Sequence, residues 1–192
     1  MADKVRRELT DPEALKALAH PLRQRMLARL RRDGPATSAM LAAEYGEDRG
    51  ATSYHLRQLA RYGFVEEDTE RSAGRRRYWR TVPADLRLPP PGTGSDEVRS
   101  AAETLSALWE SEANRLRQRF VADLFADPAA YGEFGPATMS SHGDLRLSAA
   151  QLHDFGEEYI ALLERWQQVE PGEGARHITA LFHAFPTPPE PR

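Results

Sequence analysis

The stretch 48–62, DRGATSYHLRQLARY, constrains this chain more than any other. Asp48 is a strong N-cap type, because its carboxylate can accept from a free first-turn N–H. Gly63 follows as a stop, since it takes positive φ without a Cβ clash. At helical spacing Thr52, Leu56 and Leu59 form one stripe, with Ala60 beside it. Arg49, Ser53, Arg57 and Arg61 recur on the opposite side, with Gly50 and Tyr54 alongside. Such a helix docks a narrow apolar stripe on a small core. Its other side offers guanidinium, hydroxyl and phenol groups at a size and spacing that a major groove accepts. A solvated amphipathic helix is the plainer account, and the following segment weighs against it.

That segment is FVEEDTERSAGRRRYWRTV. Phe64 and Val65 start an extended run, Ser72-Ala73-Gly74 is a turn signal, and residues 75–82 read as a second strand. The product is a β-hairpin with Arg71, Arg75, Arg76 and Arg77 near its tip. A helix followed by a basic hairpin is the plan of a winged helix-turn-helix. The helix 48–62 enters the major groove, and the wing 66–80 meets the backbone or minor groove.

Upstream, residues 1–10 read as a short polar lead. Thr10-Asp11-Pro12 opens a first helix with Leu15, Leu18 and Ala19 inward, and His20-Pro21 breaks it. A second helix runs from Pro21 to about Arg32 on Leu22, Met26, Leu27 and Leu30. A third, capped by Thr37 or Ser38, turns Met40, Leu41 and Ala42 to the core and closes at Tyr45-Gly46.

The run ALAHPLRQRMLARLRRDGPATSAMLAAEYGEDRGATSYHLRQLARYGFVEE, with GRRRYW on the wing, resembles the ArsR/SmtB class of winged-helix transcription regulators. The telling parts are AHPLRxxxL and SYHLxxLxxxGFV, and the match spans residues 11–82, under half of the chain. The resemblance implies a sequence-specific regulator of double-stranded DNA, a repressor acting as a homodimer. It also marks departures. Met40 stands where a Glu commonly completes the capping box of the third helix. Founding members sense metals through third-helix cysteines or C-terminal Asp/His/Glu clusters. Here Ala39-Met40 occupy that helix and the chain has no cysteine, so metal sensing is not implied.

The net charge of −3 alone argues against a nucleic-acid binder, but its distribution does not. Residues 1–85 hold 17 Lys+Arg against 13 Asp+Glu, and residues 86–192 hold 9 against 16. A local basic face is what phosphate binding requires. The absence of cysteine excludes disulfides, thiolate metal sites and a cysteine nucleophile. No apolar signal region or membrane-length run is present, so a cytoplasmic protein without membrane contact is expected.

Residues 88–95, LPPPGTGS, form a linker. Beyond it, residues 96–125 read as one long helix. Val98, Ala102, Leu105, Trp109, Ala113, Leu116, Phe120 and Leu124 make a continuous apolar stripe. A stripe this long needs a partner, either the same helix of a second subunit or the helix that follows. Val98, Leu105, Trp109, Leu116 and Phe120 are therefore the candidate dimerisation residues. A further helix spans 148–169, with Leu152, Phe155, Tyr159, Leu162 and Trp166 on one side. Residues 137–148 and 176–185 alternate and are expected to pair as a small antiparallel sheet.

His142, His153, His177 and His183 do not converge by spacing, so no metal site is assigned. Ser140, Ser141, His142 and Asp144 are sequence neighbours and cannot align as nucleophile, base and orienter; no phosphate-binding glycine loop exists. No catalytic residue and no cofactor is assigned, and the chain is not read as an enzyme. Ten of the 16 Phe, Tyr and Trp residues lie after residue 100, and Trp109, Phe120, Phe155, Tyr159, Trp166 and Phe182 could line an effector pocket or simply fill a core. His55 is expected half-buried beside the third helix.

The fold expected is mainly α with small β. A winged helix-turn-helix domain (1–87) and the linker (88–95) lead to a helical α+β dimerisation and effector region (96–192). Arg49, Gly50, Ser53, Tyr54 and Arg57 approach base edges, and Arg71, Arg75, Arg76 and Arg77 hold the backbone. Two alternatives stand beside this reading. One is a winged helix that contacts only proteins. The other is a sensor answering a small molecule through an aromatic C-terminal pocket.

Overall fold

A computed structural model of the chain describes residues 5–72, 76–180 and 182–187. It divides into two units, Met1–Gln118 and Arg119–Arg192.

In the first unit, α1 (Pro12–Leu18), α2 (Pro21–Asp33), α3 (Ser38–Tyr45) and α4 (Arg49–Arg61) pack around one core. Their starts follow local chemistry. Asp11 caps α1 by accepting from Glu13 N, and Thr37 caps α3 by accepting from Met40 N. Thr37 thus makes one half of a capping box, and Met40 lacks the side chain to make the other. The AHPLRQ segment ties α1 to α2. Arg23 donates to the carbonyls of Ala17 and Lys16, and Gln24 Nε2 donates to Leu18 O at 2.8 Å. These carbonyls lie at the end of α1, where the helix supplies few partners, and Leu18 O also accepts from His20 N at 2.7 Å. Leu15, Leu18, Met26, Leu27, Leu41, Leu56 and Leu59 are fully buried. Met40 departs from expectation: it is 44% exposed while Leu41 and Ala42 face inward. In this short helix Met40 lies on the first turn, off the stripe that meets α4.

The hairpin pairs β3 (Val65–Glu67) with β4 (Tyr78–Thr81), and β2 (Ala36–Thr37) adds on the other edge of β4. The turn residues Ala73 and Gly74, and Arg75, lie outside the described residues. The lead contains β1 (Val5–Glu8), paired in parallel with β5 (Ala84–Arg87). Neither strand was expected. Each is short and polar, and gains its hydrogen bonds only from a segment far away in the chain.

Helix α5 (Asp96–Ala126) begins with Ser95 Oγ accepting from Val98 N. Val98, Ala101 and Leu105 enter the core of the first unit. Its last residues lead into the second unit, which also contains α6 (Phe134–Ala137) and α7 (Ala149–Gln167). Helix α7 opens with a complete capping box between Ser148 and Gln151. The small sheet expected from residues 137–148 and 176–185 is not formed among the described residues. Apolar alternation supplies a face but no hydrogen-bonding neighbour, and both segments lie exposed. A short helix, α6, ends at Ala137 where the first segment begins, and the sequence did not signal it.

Candidate nucleic-acid interface

Helix α4 holds its reading side outward by anchoring the other. Thr52, Leu56 and Leu59 are buried, and Thr52 Oγ1 donates to Asp48 O at 3.0 Å. The Asp48 carboxylate accepts from Gly50 N and Ala51 N at 2.7 and 3.0 Å. A Cβ on Gly50 would come within 2.9 Å of that oxygen, so a side chain there would disturb the cap. Arg49, Gly50, Tyr54 and Arg57 are exposed and Ser53 is half-buried.

The hairpin folds back beside this surface. An open groove of about 560 Å³ is lined by Arg49, Ser53 and Arg57 of α4, by Arg76, Arg77, Tyr78 and Trp79 of the wing, and by residues 37–40. The structure thus brings together five of the candidates: Arg49, Ser53, Arg57, Arg76 and Arg77. Gly50 and Tyr54 are on the open side of α4 but do not line the groove. Arg71 lies apart, 3.6 Å from the buried Asp68. Arg75 is outside the described residues. Thr37, Met40 and Trp79 also line the groove, although their sequence pattern marks none of them as site residues: Thr37 reads as a cap and Met40 as core.

Charge pairing within the groove is incomplete. Arg77 is 3.8 Å from Glu67, and Arg80 is 2.8 Å from Glu66. Arg49, Arg57 and Arg76 have no ion pair among the described residues. Three uncommitted guanidiniums and one loosely paired one therefore face a common space. Exposed pairs such as Arg77–Glu67 contribute little and yield readily to a phosphate.

His55, on α4, is half-buried as expected and packs against the junction of α1 and α2. Its ring lies 4.5 Å from that of His20, and its Nδ1 is 3.4 Å from Arg23. Desolvation, then the charge of Arg23, holds both imidazoles below the usual histidine value. His20 Nδ1 is buried without a hydrogen-bond partner among the described residues.

The candidate dimerisation residues fall into two groups. Val98 and Leu105 are buried in the chain's own core and are unavailable to a second subunit. Trp109 is half-buried, and its Nε1 donates to Gln24 Oε1 at 3.2 Å. Leu116 is 41% exposed, and Phe120 packs edge-on against Tyr131 at 4.8 Å. In the second unit, Tyr159 stacks on Phe182 at 4.0 Å, and Phe155 meets the same ring at 5.6 Å. No group of three or more His, Cys, Asp or Glu is placed to hold a metal among the described residues. No helix among them is long and apolar enough to cross a membrane.

Residues 18–68 match a family model described as a helix-turn-helix domain. A solved structure of a possible transcriptional regulator for arsenical resistance is 32% identical, covering 58% of this chain and 95% of that one, with a TM-score of 0.34. The chain belongs to the ArsR-like helix-turn-helix regulators. Reduced HlyU from Vibrio cholerae N16961 is 25% identical over 50% of this chain and 85% of its own, with a TM-score of 0.32. HlyU from Vibrio vulnificus CMCP6, a transcriptional regulator, is 25% identical over 50% and 84%, also with a TM-score of 0.32. No curated protein matches the chain. This ArsR-like chain is thus a transcriptional regulator of the winged helix-turn-helix type, a class of DNA-binding proteins rather than enzymes.

Proposed function

We propose that this regulator binds its operator as a homodimer and represses transcription. Helix α4 lies in the major groove and the wing on the adjoining backbone or minor groove. The observation carrying this reading is the convergence of Arg49, Ser53 and Arg57 of α4 with Arg76 and Arg77 of the wing on one open groove. Tyr54 and Gly50 extend the α4 surface toward base edges. Arg71 and Arg75 add charge around the wing. Association uses the exposed apolar side chains of the second unit together with Leu116, while Val98, Leu105 and Trp109 support α5 from within. The linker 88–95 then joins the winged helix-turn-helix to α5, whose first turns pack on that head, and association falls to the residues beyond those turns.

A salt titration of affinity on operator and random DNA tests the assignment. Arg76→Ala should weaken both alike and flatten the log–log salt slope by about one unit. Ser53→Ala and Tyr54→Ala remove no charge. Each should cost about 1–3 kcal/mol on operator DNA, with little loss on random DNA and an unchanged slope. Selective loss of the operator by the wing variant, with uniform loss by the helix variants, would reverse the roles. An absence of any DNA affinity would favour the winged helix as a protein-contact module.

A further inference from the structure

A cleft in the first unit holds an uncommitted cation. It is lined by Leu18 of α1, Gln24 and Arg31 of α2, Ala84 and Leu86 of β5, and Trp109 of α5, and encloses about 340 Å³. That is within the range of small-ligand sites. Two of its three polar side chains are engaged with each other or with backbone. Gln24 Nε2 donates to Leu18 O at 2.8 Å, and Trp109 Nε1 donates to Gln24 Oε1 at 3.2 Å. The neighbouring strand residues offer no counter-charge. Asp85 alternates to the opposite side of β5 from Ala84 and Leu86, and its carboxylate pairs with Arg87 at 2.9 Å.

Arg31 has no hydrogen bond or ion pair among the described residues. Other arginines of α2 are occupied. Arg25 lies over the Tyr45 ring, Arg29 reaches Glu44 and Asp33, and Arg32 pairs with Asp33. Arg31 is open to solvent, yet the atoms around its guanidinium lower its pKa by desolvation, and no carboxylate opposes that shift. A basic residue in the last turn of a helix gains from the helix dipole. That accounts for a charge at this end of α2. It does not account for an unpaired guanidinium in a cleft walled by leucine and indole.

We infer that this cleft binds a small organic anion, a carboxylate carried on an apolar or aromatic body. Arg31 grips the carboxylate, and Trp109, Leu86 and Ala84 cover the body. A guanidinium presents two parallel N–H donors that match a carboxylate, and partial desolvation strengthens the pair. Inorganic phosphate would satisfy Arg31 but leave the apolar walls uncovered. The inference is independent of how the protein meets DNA, because none of these residues lines the groove beside α4.

The probe is benzoate, with neutral benzamide as its isostere. Of the chain's three tryptophans, only Trp109 lies in the cleft. Trp79→Phe and Trp166→Phe together leave it as the sole indole, and its emission is followed during titration of the full-length chain. Benzoate should quench it saturably. Benzamide should bind at least about tenfold more weakly, and so should benzoate on an Arg31→Gln variant. Arg32→Gln should retain the benzoate affinity, since its partner is Asp33. Calorimetric titration of the otherwise unaltered chain gives the same comparison without the tryptophan substitutions, and circular dichroism checks that each variant is folded. No saturable binding up to about 10 mM benzoate, equal affinity for benzoate and benzamide, or binding that survives Arg31→Gln would each overturn the inference.

Discussion

The two units of this regulator use the same local devices and reach opposite outcomes in burial. Helix α4 of the first unit and α7 of the second both open on a side-chain cap, and both carry a periodic apolar stripe. In α4 that stripe is fully buried, with Leu56 and Leu59 at 0% exposure. In the second unit no described residue is buried, and Phe125, Trp166, Ile178 and Phe185 are each more than half exposed. Capping and amphipathicity decide where a helix starts and which side is apolar. They do not decide whether anything covers that side. A surface with this many large apolar groups normally marks an interaction site, which is why association is assigned to this unit.

Core truncation should separate the units most strongly. Leu56→Ala should cost about 2–5 kcal/mol in denaturant unfolding. Leu162→Ala on the outer side of α7, where the side chain is 42% exposed, should stay within about 0.5 kcal/mol in dilute protein. A loss at Leu162 matching that at Leu56 would mean that this side is covered in solution, and the contrast would fail.

Association sharpens the same contrast. Sedimentation at micromolar concentration should give about twice the 21.6 kDa chain mass. Phe125→Glu or Trp166→Glu should shift the chain toward monomer without lowering the stability of the first unit. A wild-type monomer at that concentration would break the dimer proposal.

The caps provide a smaller and more local comparison. Asp48→Ala should destabilise the first unit by about 1 kcal/mol and weaken DNA binding, because it frees two N–H groups at the start of the reading helix. Ser148→Ala removes a cap of similar strength from α7. Its effect should appear in hydrogen exchange of α7 and leave the unfolding of the first unit unchanged. Equal global losses would indicate that the units unfold together.

The pH response should be the smallest effect and confined to the first unit. His20 and His55 are held below the ordinary value of 6.5, so the unfolded chain takes up protons first as pH falls. Their contribution is complete above about pH 6.5 and is lost as acidification proceeds from there through the folded-state values. Unfolding at pH 7.5 and 5.5 measures this, and His55→Gln should flatten the difference. Stability that rises on acidification over that range would contradict the neutral imidazole pair.

Much of the first unit was legible because its signals are short-range. Asp48 caps α4 as expected, while of the paired candidates Asp11 rather than Thr10 caps α1 and Thr37 rather than Ser38 caps α3, and the expected stripe of α4 is buried down to Thr52. Convergence of Arg49 and Arg57 with Arg76 could be expected only through the resemblance. The failures share a cause. β1 and β5 lacked any strong strand pattern, yet they pair across most of the first unit. Residues 137–148 alternate weakly and 176–185 more clearly, and neither forms a strand among the described residues.

By itself the sequence determined the helix starts, the apolar sides and the basic character of the wing, because each depends on residues within a few positions of one another. Only the tertiary structure decided which apolar sides were buried. It split the stripe of α5, taking Val98 and Leu105 into the core and leaving Leu116 at the surface. It also set Arg31 beside Trp109, and Arg76 across a groove from Arg49. Periodicity specifies a side of a helix, but burial and the meeting of distant side chains depend on what the rest of the chain places against it.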